Sequence, residues 1–114
     1  MIKIEYTVGW FRDNASKFDD WFDADTFDGN YTYLLPMCCS DNFDKWFDAD
    51  KFEWRYSHYL VKHCTVHFDK WFDASKFDWR DRLDLTEYCM KYIDIWYDSS
   101  KFKESKQMLK LMSL

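Results

Sequence analysis

Phe68-Asp69-Lys70-Trp71-Phe72-Asp73-Ala74-Ser75-Lys76-Phe77 decides how this chain is read, because nearly the same ten letters occur twice before it. Phe43-Asp44-Lys45-Trp46-Phe47-Asp48-Ala49-Asp50-Lys51-Phe52 stands 25 residues earlier, and Phe18-Asp19-Asp20-Trp21-Phe22-Asp23-Ala24-Asp25-Thr26-Phe27 another 25 before that. A looser copy, Ile93-Asp94-Ile95-Trp96-Tyr97-Asp98-Ser99-Ser100-Lys101-Phe102, follows at the same interval. The register extends beyond the block: Leu35, Leu60 and Leu85 are 25 apart, as are Cys39, Cys64 and Cys89. A fixed period without insertions marks a repeat architecture, in which a unit too small to bury its own apolar face stacks on its neighbour.

The large residues of one period, Tyr59, Leu60, His63, Cys64, Phe68, Trp71 and Phe72, are spaced by one, three and four, which places them on one helical face. Leu85, Tyr88, Cys89, Tyr92, Ile93 and Trp96 repeat that spacing, and strict strand alternation is absent. The predicted fold class is all-α: a short helical-repeat solenoid of about four 25-residue units in a single domain over 1–114. Residues 1–17 form an N-terminal cap or degenerate half-repeat, 18–102 the four repeats, and 103–114 a capping helix built on Met108, Leu109, Leu111 and Met112 with Lys106 and Lys110. Ile2, Ile4, Tyr6 and Val8 alternate with Lys3, Glu5 and Thr7, which suggests a strand or extended cap, with Tyr6 to Phe18 as a half-unit the alternative.

Each unit is expected to hold two helices of roughly eight to ten residues, below the ~12 needed for independent helicity, so tertiary packing must support them. Ser40 and Thr65, three residues before Phe43 and Phe68, are read as helix caps. Asp48, Asp73 and Asp98 are read as opening a second capped turn that ends at Phe52, Phe77 or Phe102. The first junction departs from the pattern. Gly29 stands where later copies carry Trp54 and Trp79, and Pro36 interrupts the helical pattern, so a bend or special surface is expected between Phe27 and Cys39.

The chain has 114 residues, 11 Phe, 8 Tyr and 7 Trp against 2 Gly and 1 Pro, which excludes collagen-like, linker-like and most disordered classes. No apolar run approaches the ~18 residues of a membrane span, and Met1 to Phe11 has neither the charged start nor the cleavage site of a signal peptide. A soluble, cytoplasmic protein without membrane partners is the expectation.

The aromatics Phe18, Phe43 and Phe68 with Trp21, Trp46, Trp71 and Trp96 are read as an interior ladder, since buried ring area is what so short a unit otherwise lacks. The competing use is an aromatic groove for sugars, quaternary amines or bases. Composition alone is similar to choline-binding repeats, but those are glycine-rich hairpins. Cys38, Cys39, Cys64 and Cys89 with His58, His63 and His67 offer soft metal ligands, yet a 25-residue recurrence gives one Cys to each layer and no CxxC pair exists. No metal, cofactor or disulfide is expected, and free buried thiols suit a reducing compartment. Cys64 with His63 or His67 is an ordinary helical neighbourhood, not a nucleophile pair. Paired carboxylates such as Asp19 and Asp20 recur in like environments, whereas acid/base catalysis needs two unlike ones. Two glycines form no phosphate loop. The chain is therefore expected not to be an enzyme and to have no catalytic residues.

Charge is the remaining signal. Between Asp13 and Glu53, 11 acidic residues face Lys17, Lys45 and Lys51, a balance of -8, whereas from His58 to Leu114 there are 10 basic and 9 acidic residues. Regularly spaced carboxylates can be a solvated face or can engage a basic surface on another protein. Direct nucleic-acid binding needs a basic footprint that only the tail beyond Ser99 offers.

At Phe43 to Asp48, repeated at Phe68 to Asp73, the chain resembles tandem FDxWFD repeat proteins of phages and bacteria, over about Tyr6 to Phe102. It departs from them at Ile93 and Tyr97, and at Ala49 and Ala74, where a proline is often seen. The resemblance carries no catalytic residues. It implies, by analogy with small acidic phage proteins, an inhibitor of host machinery of the anti-CRISPR kind. The expected function is a non-enzymatic protein-binding module whose acidic face covers a basic nucleic-acid-binding surface of a partner. Asp19, Asp20, Asp23, Asp25, Asp44, Asp48 and Asp50 carry the electrostatics, and Trp10, Tyr31, Tyr33 and Trp54 serve as aromatic anchors. The alternatives are a small-ligand or zinc module on the aromatic or Cys/His ladder, and a purely structural, self-assembling repeat.

Overall fold

The 25-residue period of the letters reappears as a 25-residue period of the backbone. The computed structural model describes residues 7–113, and every regular element among them is helical. The α-helices are α1 (Val8–Asn14), α2 (Phe18–Trp21), α3 (Leu34–Cys38), α4 (Phe43–Trp46), α5 (Ser57–His63), α6 (Phe68–Trp71), α7 (Arg82–Tyr88), α8 (Ile93–Trp96) and α9 (Lys106–Met112). Single 3-10 turns lead into α2, α4, α6 and α8, and others at Gly29–Tyr31, Trp54–Tyr56 and Trp79–Asp81 precede α3, α5 and α7. Two compact units follow one another, the first ending at Glu53 and the second opening at Trp54.

Each repeat is a longer helix, a break, a 3-10 turn and a four-residue helix. The break falls on the cysteine: Cys39, Cys64 and Cys89 share φ near -125° and ψ near 30°. The cysteine carbonyl at the break takes the motif tryptophan as a hydrogen-bond donor. The Trp46 indole donates to the Cys39 carbonyl at 2.7 Å, Trp71 to Cys64 at 2.8 Å and Trp96 to Cys89 at 2.8 Å. Trp21 does the same to Asn14, which stands at the cysteine position, at 2.8 Å. Each of these cysteine carbonyls also accepts the N–H three residues on, at 2.9–3.0 Å, so the indole is a second donor to an oxygen that can take two, supplied by a ring that also fills the core. The motif phenylalanine orders the other rings. Phe43 lies edge-to-face on Trp46 (5.1 Å) and stacks on Phe47 (4.8 Å), and Phe68 repeats this with Trp71 (5.1 Å) and Phe72 (4.9 Å).

In the first unit α1 packs on α3 over Phe11, Phe18, Leu34, Leu35, Phe43 and Trp46. In the second α5 packs on α7 over Leu60, Val61, Phe68, Trp71, Leu85 and Trp96. Phe18, Phe43 and Phe68 and all the motif tryptophans except half-buried Trp21 are inside, as the ladder reading requires. A buried hydroxyl stitches one copy to the next. Thr32 Oγ1 donates to the Gly29 carbonyl (2.8 Å) and accepts the Glu53 N–H (3.2 Å) in the first unit. Ser57 Oγ donates to Trp54 and accepts the Asp78 N–H (3.1 Å) in the second.

The helices differ from expectation in length and capping. They run four to seven residues, because the break at each cysteine divides what the periodicity reads as one helix. Ser40 and Thr65 make no capping hydrogen bond; they begin 3-10 turns entered from a cysteine that is not extended, and a side-chain cap needs an extended one. Asp48, Asp73 and Asp98 do fold turns, accepting the N–H two residues on at 2.9 Å while Asp48 and Asp73 carbonyls receive Phe52 and Phe77. Pro36 interrupts nothing: it lies in the first turn of α3, where an amide would lack an intrahelical partner. Of the alternating segment, Ile2, Ile4 and Tyr6 lie outside the described residues, and Val8 opens α1, capped by the Thr7 hydroxyl. Over Lys106–Met112 the closing segment is helical, with Leu109 buried and Met108, Leu111 and Met112 exposed.

Candidate functional site

The charge asymmetry follows the units. Residues 7–53 carry 11 acidic against 4 basic side chains, a balance of -7, and residues 54–114 carry 9 acidic against 11 basic, a balance of +2. All seven aspartates singled out in the sequence are exposed, but the structure gives them different work. Asp19 and Asp20 open α2, and Asp44 opens α4. Lys45 on α4 grips both Asp19 oxygens at 2.9 and 2.8 Å, a pair whose side chains stay 54% and 72% accessible and whose net worth is therefore about 0–1 kcal/mol. Lys51 stands 3.7 Å from Asp25. Asp23 and Asp48 spend a carboxylate oxygen on the N–H of Asp25 and Asp50, each at 2.9 Å. Asp20 has no partner among the described residues and is exposed.

Sequence reasoning missed two groups here. Asp41 is exposed in the 3-10 turn before α4 and lines, with Asp19, Ser16 and Cys38, a groove between the α1–α2 and α3–α4 corners. Its signal was available as one more carboxylate in the acidic run. Asp28 accepts the Asn30 N–H at 2.9 Å, as Asp78 accepts that of Arg80 at 3.1 Å, so this column also folds turns.

The four aromatics are half-buried and do not form one cluster. Trp10 sits edge-on to Phe11 (5.4 Å) and Trp21 (5.1 Å) at the rim of the first core. Tyr31 closes the turn that Gly29 opens, and Tyr33 immediately precedes α3. Trp54 belongs to the second unit, where it opens a 3-10 turn.

Cys38 and Cys39 are neighbours in the first unit, and Cys64 and Cys89 belong to successive copies of the second. Burial pushes Cys39, Cys64 and Cys89 up to about 12, the neighbouring Cys38 adding to the effect on Cys39. Burial also raises Cys38, with Arg12 opposing it. None is a thiolate at neutral pH, and no group of three or more His, Cys, Asp or Glu among the described residues is placed to hold a metal. His58 Nδ1 lies 3.4 Å from Asp81, and burial lifts the nearby Asp84, with Asp81 adding to the rise. Among the described residues no helix is long and apolar enough to cross a membrane.

No family model, curated protein or solved structure matches this chain.

Proposed function

We propose that this chain is a non-enzymatic repeat module, a small helical solenoid of FDxWFD units that captures a protein partner through the acidic face of its first unit. A phage-type inhibitor that occludes a basic nucleic-acid-binding surface is the specific form of that reading. The observation that carries it is the confinement of the negative balance, -7, to residues 7–53, on carboxylates that are all exposed. Such a concentration speeds encounter with a positive surface and loses force as salt rises. The partner is a protein with a basic surface, and the acidic unit offers no footprint for phosphates.

The structure also chooses the variants for a test. Asp48 folds a turn, so its reversal confounds binding with folding, whereas Asp20 and Asp41 are exposed and unengaged among the described residues. Affinity capture with Asp20→Lys plus Asp41→Lys should lose a partner that the native chain holds at low salt and releases at about 0.5 M salt. The captured partner should bind nucleic acid less well in the presence of the native chain. Capture that survives the double reversal, with melting temperature unchanged, refutes the reading.

A further inference from the structure

The residues that hold Trp79 in the second unit have counterparts, each 50 positions earlier, around Gly29 in the first. Trp79 lies edge-on to Phe77 (5.2 Å between ring centroids), Phe72 (6.3 Å) and Phe102 (6.4 Å). Its indole donates to the Ala74 carbonyl at 3.1 Å, and the Lys101 ammonium sits 5.6 Å above the ring. In the first unit Phe27, Phe22, Phe52, Ala24 and Lys51 line, with Gly29, a shallow cavity of about 40 Å³ that opens to solvent, as the half-buried Trp79 ring does in the second. The Ala24 carbonyl, the counterpart of the indole's acceptor, receives the Lys51 ammonium at 3.2 Å instead.

The backbone around Gly29 matches that around Trp79. Both residues open a 3-10 turn behind an extended aspartate whose carboxylate takes the N–H two positions on. Nothing in that backbone demands glycine. Its φ is not positive, and a Cβ would meet only Glu53 Oε1 at 3.6 Å and Cγ at 3.9 Å, both ordinary contacts. Glycine here removes a side chain and leaves its receptacle.

We propose that the receptacle at Gly29 receives a tryptophan side chain presented by a partner polypeptide, with basic residues flanking that tryptophan. The ring's fit stands on the match to the Trp79 site alone, and the polypeptide source rests on the acidic-face reading above. The incoming indole lies among Phe22, Phe27 and Phe52, its N–H takes the Ala24 carbonyl, and Lys51 moves from that carbonyl to the ring face, as Lys101 lies on Trp79. Asp48 lines the cavity, and exposed Asp23, Asp25 and Asp28 border it in the chain, which favours cationic neighbours on the incoming segment.

The test titrates the full chain, watched by NMR of its phenylalanine rings, with three probes: a capped Lys-Trp-Lys tripeptide, a capped Glu-Trp-Glu tripeptide and free indole. The lysine-flanked peptide should shift the Phe22, Phe27 and Phe52 signals and bind at least about fivefold tighter than the glutamate-flanked one at low salt. Gly29→Trp should abolish those shifts and raise Tm by about 4 °C. Gly29→Leu, a smaller plug, should also block the probes. Shifts that persist in both variants, or a lowered Tm in Gly29→Trp with no shifts in the native chain, overturn the receptacle. Free indole binding tighter than either peptide makes the occupant a small molecule and overturns the polypeptide. Equal binding of the two peptides sinks the acidic-face reading while the receptacle stands, and no shift with any probe while acidic capture persists does the reverse.

Discussion

Trp71 is 1% exposed and performs two tasks with one side chain: it fills the core and it gives the Cys64 carbonyl a second donor. Trp71→Phe keeps much of the first task and loses the second, and it should cost about 2 kcal/mol, read as a lower urea midpoint with unchanged m. The Cys64 carbonyl keeps the His67 N–H, which holds the loss to that size. The thiols give a second prediction. With Cys39, Cys64 and Cys89 buried and held protonated, a thiol reagent at pH 8 should label Cys38 alone in the native protein, slowly, and all four in denaturant. A third concerns acid. Ser75 holds Asp73 below the ordinary carboxylate range, chiefly through its hydroxyl and then its N–H. A lowered folded value means the stabilisation is present above the unfolded value near 3.8 and disappears as pH falls through the folded one. Ser75→Ala should raise the Asp73 value measured by NMR toward the ordinary one and remove that stabilisation at pH 7, while stability below the folded value stays the same as in the native chain. The aromatic positions were legible because a ring repeated every period has no other use in so short a unit. The separate duties of the aspartates were not, since a carboxylate that folds a turn and one that faces solvent are the same letter.

At the scale of the element, the helices are too short to exist alone, so what joins them matters more than what composes them. The buried Ser57 hydroxyl connects the Trp54 turn to the Asp78 turn of the next copy, and Thr32 connects Gly29 to Glu53 in the same way. Ser57→Ala leaves the half-buried Asp78 N–H without its acceptor and should destabilise by about 1 kcal/mol, while Ser57→Thr should restore most of the loss in the same chemical melt. The period of 25 told where elements recur but not where they stop. The helices stop at Cys39, Cys64 and Cys89, where each carbonyl is shared by a 3-10 N–H and an indole seven residues away, a partner that local propensity does not contain. The hydroxyl column was visible as Thr32 and Ser57 but ends at Arg82, and that obscured it.

For the whole molecule the informative quantity is where the charge lies, since a net -5 is made of -7 and +2 on successive units. Reversing Asp20 and Asp41 removes repulsion and breaks no hydrogen bond among the described residues, so Tm should move by less than about 2 °C in the same samples used for capture. That constancy is what makes a loss of capture interpretable. The all-α class was readable from spacing alone; the cavity at Gly29 was readable only as a missing letter, because its shape is defined by what Trp79 does elsewhere. The recurring hydroxyl seam has an evolutionary corollary. Excising one period between Thr32 and Ser57 would leave Thr32 to serve the Asp78 turn that Ser57 serves now, so recombination within the gene can remove those 25 residues and keep that hydrogen bond.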